Sequence, residues 1–233
     1  MTDIKKALEA IDLFNRIRLR QPTNGQLPKP HAKFQHYLAR RDAVDPVVDY
    51  SLLRKALGQF GTTYLAPLLQ RDVRPLLQGV DATIDLGCGN GWVTGALGFD
   101  RGILVDREGS PPAKRYVNRE RAFLPGNLDD WDTIRVYIHN SNAQLVILSE
   151  VLHCMSDPHG FIQRAVRDAG SAEWVLIIEQ EDLGDELSAQ LRKDFGPTNT
   201  LLTGTQIFSL MSGFQCHYYI SLRQYSISLW RLQ

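Results

Sequence analysis

Three cysteines in 233 residues, Cys88, Cys154 and Cys216, are too few and too widely spaced to staple a fold. Their odd number argues against a disulfide framework, and no pair has zinc-ligand spacing, so reduced thiols and no metal site are expected. Long apolar runs are missing as well, and nothing approaches the length of a membrane span. The opening residues, Met1, Thr2, Asp3, Ile4, Lys5, Lys6 and Ala7, have neither the apolar core nor the cleavage site of a secretory leader. A cytoplasmic protein is the expectation. Net charge is also lacking, with 26 basic against 26 acidic residues, but the average conceals an asymmetry. Residues 1–80 carry 13 Lys or Arg against 7 Asp or Glu, and the remainder carries 13 against 19. A basic appendage can meet an anionic partner such as nucleic acid, or dock on its own acidic neighbour. The basic residues are scattered rather than clustered, which favours the second.

What is present is the composition of a globular protein, 43% hydrophobic and 22% charged, in a chain long enough for one sizeable core with an appendage. Ile4, Leu8, Ile11 and Phe14 recur at helical spacing, which predicts a helix over 3–19. A Pro- and Gly-bearing loop follows at 21–30, with further helical patterns at 47–60 and around 63–78, the last interrupted by Pro67 and Pro75. From residue 81 the rhythm changes to short apolar runs separated by helical segments, as in a parallel sheet. The candidate strands are 82–86, 102–106, 121–124, 145–149 and 174–179. Phe161, Ile162, Ala165, Val166 and Ala169 fall on one helical face, and further helices are expected at about 185–195 and 205–212, the latter stopped by Gly213. Residues 214–233, with a polar break near Arg223, read as a closing β-hairpin. The domain division is a helical region over 1–80 and a doubly wound α/β domain over 81–233.

The stretch DLGCGNG, residues 85–91, follows the first strand and places three glycines in five positions. A strand, a glycine-rich turn and a helix start direct backbone N–H groups to the sheet edge where open α/β sheets bind ligands. The dinucleotide fingerprint needs a glycine where Trp92 stands, so a pyrophosphate cradle is disfavoured. The order Asp85, Gly87, Cys88, Gly89, Asn90, Gly91 instead resembles motif I of the class I S-adenosylmethionine-dependent methyltransferases. The resemblance covers residues 80–233 and implies a mostly parallel seven-stranded sheet whose last strand is inserted antiparallel. It implies S-adenosylmethionine as cofactor, held by Asp85 and the loop from Gly87 to Gly91. Asp106, ending the strand GILVD, would accept both ribose hydroxyls; Arg107 offers a guanidinium plane to the adenine or is a surface residue. The segment PGNLDD resembles the adenine-binding turn, with Asn127 and Leu128 at the position that meets the base. LSEVLHCMSDP, residues 148–158, resembles the segment that passes the methyl group in members acting on small molecules, and brings in Ser149 and Glu150.

Methyl transfer from a sulfonium is an in-line displacement, so alignment is the main requirement on the protein. An oxygen or protonated nitrogen acceptor also benefits from a base, for which His153 is the candidate, with the alternative that it only shapes the pocket. Glu150 is a second candidate, or an orienter of the cofactor's ammonium. There is no Asn-Pro-Pro-Tyr-like tetrapeptide after the fourth strand and no basic stripe interleaved with aromatics. A helical N-terminal cover and the segment 183–205 resemble the lids of small-molecule methyltransferases. The expected activity is methylation of an oxygen or nitrogen of a small metabolite. The alternatives are an RNA- or protein-directed methyltransferase, or a binding module that keeps the cofactor fold without turnover.

Overall fold

The computed structural model describes residues 61–107, 111–184, 188–189, 201–222 and 225–233. The helices expected at 3–19 and 47–60, the loop at 21–30 and nearly all of the helix at 185–195 lie outside these residues. Seven strands form one sheet in the order β3-β2-β1-β4-β5-β7-β6. They are β1 Ala82–Leu86, β2 Arg101–Asp106, β3 Arg121–Pro125, β4 Leu145–Ser149, β5 Trp174–Gln180, β6 Phe214–Leu222 and β7 Tyr225–Leu232. β1 to β5 pair in parallel, whereas β7 runs antiparallel to both β5 and β6. The sheet is therefore mixed, and its direction reverses only at the hairpin read from the tail. Every residue of β1 and β5 is buried. Burial on both faces is why these strands appear in the sequence as unbroken apolar runs rather than as alternation.

Helices cover both faces. On one lie α1 (Trp92–Leu97) and an irregular helix through residues 61–76, whose Leu65, Leu68, Leu69 and Val73 share a core with Leu145, Ile147, Leu176, Ile178 and Ile227. Residues 61–77, part of the N-terminal region by sequence, thus join the core of the sheet. The helix runs as wide turns Gly61–Leu65 and Leu69–Val73 about an α turn Ala66–Leu68, then a tight turn Arg74–Leu76. Pro67 and Pro75 do not interrupt it as expected. Each falls in the first positions of a new turn type, Pro67 in Ala66–Leu68 and Pro75 in Arg74–Leu76, where a missing N–H is tolerated.

The other face carries α2 (Trp131–Ser141), α3 (Pro158–Ala169) and α4 (Gly204–Leu210). Phe161, Ile162, Ala165, Val166 and Ala169, the predicted stripe of α3, pack there with Ile134, Val146, Leu148, Val175 and Ile177. Local signals set the ends. Asp157 caps α3 through Gly160 N at 2.9 Å, and Thr203 with Gln206 forms a reciprocal capping box on α4. Gly213, at φ +90°, turns the chain into β6 as a left-handed terminator. α1 is the helix start expected after the glycine loop, and α2 is one of the helical segments between strands, with no bounds expected for either. α1 is only six residues long, and α2 buries just Ile134 and Ile138, so neither produces a long apolar period.

Candidate functional site

The strand order reverses between β1 and β4, so the loops leaving these two strands diverge and open a crevice at their carboxyl ends. The glycine loop forms one wall. Gly87 N and Cys88 N both donate to Val105 O, at 2.8 and 2.9 Å, pinning the loop to the end of β2. Gly87 sits at φ +76°, and a Cβ there would collide with a methyl of Val151 from the other wall. Among the described residues, no atom lies within 4 Å of where a Cβ on Gly89, at φ +56°, would stand. Two glycines in one motif therefore answer to different demands, one to packing and one to open space over the backbone. Cys88 is buried within the loop.

Below the loop, Asp85 is fully buried and accepts from Thr94 Oγ1 at 2.8 Å through one oxygen, while its other oxygen has no hydrogen-bond partner among the described residues. Burial pushes its carboxyl up to about 7, opposed by the Thr94 hydroxyl and reinforced by Asp106. Asp106, half-buried at the end of β2, accepts from Gly89 N at 2.8 Å and from Arg107 N at 2.7 Å. The Arg107 residue itself is exposed.

After β3, Asn127 is exposed and accepts from Asp129 N at 3.3 Å, a turn that leads into the Asp130 cap of α2. Its neighbour Leu128 reaches the glycine loop, with Cδ1 3.6 Å from where a Cβ on Gly87 would lie. Ser149 ends β4 opposite Ile178 of β5. Glu150 follows at φ +58°, a conformation rare for a residue with a side chain, and its N–H donates to Ile178 O at 2.8 Å. The left-handed φ at Glu150 lets the chain turn away from the sheet while keeping its last ladder bond.

His153 lies in the short turn Leu152–Cys154 and is only 5% exposed. Its Nδ1 is 2.9 Å from Glu179 Oε2, and Glu179 Oε1 accepts from Val151 N and Leu152 N, both at 2.6 Å. One fully buried carboxylate thus fixes both the turn and the ring on it. Burial alone would lower the histidine, but Glu179, with Cys154 and Glu150, carries it well above the ordinary imidazole range. On the opposite face of β5, Gln180 Nε2 donates to Tyr225 OH at 3.0 Å and to Glu150 Oε2 at 3.2 Å. Glu179 and Gln180, with Tyr225, make these contacts to the candidate residues and carry no expectation from the sequence. The available signal was the run of polar residues ending the apolar strand WVLIIEQE, because a buried strand closes on charge only where something pairs with it.

No family model and no curated protein sequence matches the chain. Solved structures do. Mitomycin 7-O-methyltransferase aligns over 84% of this chain and 60% of its own, with 17% identity and a TM-score of 0.58. An O-methyltransferase from neocarzinostatin biosynthesis, solved with S-adenosylmethionine and 2-hydroxy-5-methyl naphthoic acid, aligns over 99% and 70%, with 17% identity and a TM-score of 0.57. The N,N-8-amino-8-demethyl-D-riboflavin dimethyltransferase of Streptomyces davawensis aligns over 99% and 69%, with 16% identity and a TM-score of 0.57. The chain spans under two thirds of the length of the mitomycin enzyme. With its strand order, its antiparallel seventh strand and its glycine loop after β1, the chain has the fold of the class I S-adenosylmethionine-dependent methyltransferases.

Proposed function

We propose that the chain binds S-adenosylmethionine and transfers its methyl group to an oxygen or nitrogen of a small molecule. The observation that carries this reading is the glycine loop after β1, tied through Gly89 N to the Asp106 carboxylate and packed at Gly87 against Val151 of the turn that Glu179 and His153 share. The residues fit such a cofactor. Among the described residues no side chain fills the space over Gly89, Asp106 places a carboxylate at the end of β2, and Leu128 supplies an apolar surface beside Gly87. Bound there, the cofactor would supply an electrophilic methyl group on a sulfonium. The similar structures named above act, by their names, on small molecules, which supports a small acceptor rather than RNA or protein.

The protein's own contribution is alignment and proton handling. Glu179 engages Nδ1 of His153 and Cys154 also bonds the ring, and proton exchange with the acceptor is assigned to this imidazole. Because Glu179 raises the histidine, the ring must lose its proton before it serves as base, and methylation should rise with pH through a value above the ordinary imidazole range. The cover role read for residues 1–80 does not extend to residues 61–77, which pack into the core of the sheet. The free thiols Cys88, Cys154 and Cys216 fit a reducing compartment, the cytoplasm. Among the described residues no helix is long and apolar enough to cross a membrane. Calorimetric titration tests the cofactor: S-adenosylmethionine and its demethylated product should bind and NAD should not. NAD binding without a response to the methyl donor would overturn the reading. Incubation with methyl-labelled cofactor and cell extract then asks whether label enters small molecules, as expected, or RNA or protein.

A further inference from the structure

Gly61 lies far from the glycine loop in sequence but reaches its end in space, through one aromatic ring. It opens the irregular helix over 61–76, is buried, and has a φ outside the left-handed region. Its need for glycine is therefore one of room rather than of backbone conformation. A Cβ on Gly61 would collide with the fused rings of Trp92, at Cδ2, Cε2 and Cζ2, so the indole lies directly on the Gly61 backbone. That ring has little space into which to withdraw. Trp92 is 9% exposed and packs in one core with Leu65, Leu69, Val93 and Leu97.

Trp92 is also the residue that follows the glycine loop. It begins α1, its N–H donates to Asn90 Oδ1 at 3.1 Å, and Gly91 N donates to Cys88 O at 2.8 Å. Pressure on the indole thus reaches the loop through short hydrogen-bonded steps. The start of the loop cannot give, because Gly87 N and Cys88 N are both pinned to Val105 O, so the displacement falls on Gly89 to Gly91.

We propose that Gly61 is a positioning residue for the cofactor: its missing side chain seats the Trp92 ring, and the seated ring sets the place of Gly89 to Gly91, against which S-adenosylmethionine lies. This inference rests on the methyltransferase reading and adds to its binding site a residue on a different element. With a methyl at position 61, the free protein relieves the overlap by letting Trp92 and the loop shift. Binding the cofactor requires the loop in its original place, so the overlap returns in the complex and is subtracted from affinity. A glycine that only filled the core would cost the fold the same with ligand or without it, and affinity would not move.

The test is calorimetric titration of S-adenosylhomocysteine into the full chain, with thermal unfolding of the cofactor-free protein alongside. Gly61→Ala should weaken binding about tenfold, within the range that overpacking costs a well-packed site. Trp92→Leu removes the rings, and in that background Gly61→Ala should change affinity by about twofold or less, since the two positions no longer meet. Where Trp92→Leu does not fold, the flexible Trp92→Met carries the same comparison. Leu77→Ala opens a cavity in the same core beyond the other end of the helix; it should lower the melting temperature and leave affinity within about twofold. Unchanged affinity in Gly61→Ala, an equal loss with and without the Trp92 rings, an equal loss from Leu77→Ala, or a Gly61→Ala chain that does not fold would each overturn the proposal and leave the methyltransferase reading intact. Failure of the wild type to bind S-adenosylhomocysteine at all would overturn that reading, and this inference with it.

Discussion

Asp106 stands at the junction of two duties, because the carboxylate proposed to hold a ribose diol also fastens Gly89 N and Arg107 N. Asp106→Ala should weaken S-adenosylmethionine binding by roughly 1.5–3 kcal/mol, the range for hydrogen bonds to a charged group. Calorimetry on the folded variant checks this, and unchanged affinity would place the ribose elsewhere. His153→Ala should lower the single-turnover methylation rate by about 10² to 10⁴, the usual range for a lost base, with cofactor affinity little changed. Glu179 gives a finer handle on the same ring. Glu179→Gln removes the charge that raises His153, so the acidic limb of the pH–rate profile should move to lower pH. A limb that stays in place in that variant would separate His153 from the observed titration. If His153 only shapes the pocket, His153→Asn should retain most of the rate.

At the scale of elements, the glycine loop and the turn after β4 behave as one device, because Gly87 meets Val151 and Val151 N is held by Glu179. Gly87→Ala must both occupy a left-handed conformation and displace Val151, which disturbs the turn that carries His153. Gly89→Ala meets no atom among the described residues and bears only the conformational cost, about 1–2 kcal/mol. Thermal unfolding should therefore show Gly87→Ala as clearly the less stable protein. Gly89→Ala, though folded, should lose S-adenosylmethionine affinity, because its methyl fills the space over the loop. Similar cofactor affinity for Gly89→Ala and wild type would show that nothing lies against the backbone there.

For the whole molecule the buried ionisable groups set the dependence of stability on pH. Asp85 rises from 3.8 to about 7 on folding. A raised carboxyl stabilises the fold fully below its unfolded value and loses that contribution as pH climbs through its folded value. The loss runs from about pH 4 to pH 7 and amounts to something on the order of 4 kcal/mol. His153 acts in the same sense at higher pH, since its raised folded value gives stability below the ordinary imidazole range that disappears as pH passes the raised one. Asp85→Asn keeps a partner for Thr94 but cannot ionise. Its melting temperature relative to wild type should rise as the buffer is moved from pH 4 to pH 8, and a constant difference would mean that Asp85 titrates normally.

The sequence by itself determined the five parallel strands to within about one residue, the hairpin that closes the sheet, and the place of the glycine loop. It could do so because burial on both faces writes continuous apolar runs, and because caps and left-handed glycines act over a few neighbouring residues. His153 and Glu150 were legible as candidates from the segment after β4. Only the tertiary structure decided their surroundings. Glu179 lies 26 residues beyond His153 and Tyr225 lies 45 beyond Gln180, and both pairs meet because β4, β5 and β7 are neighbours in the sheet. The same holds for the lead-in helix at residues 61–76, whose prolines read as interruptions until the change of turn type absorbed them. Periodicity reports which side of an element faces the core, whereas the partner of a buried charge is set by which strands the fold places side by side.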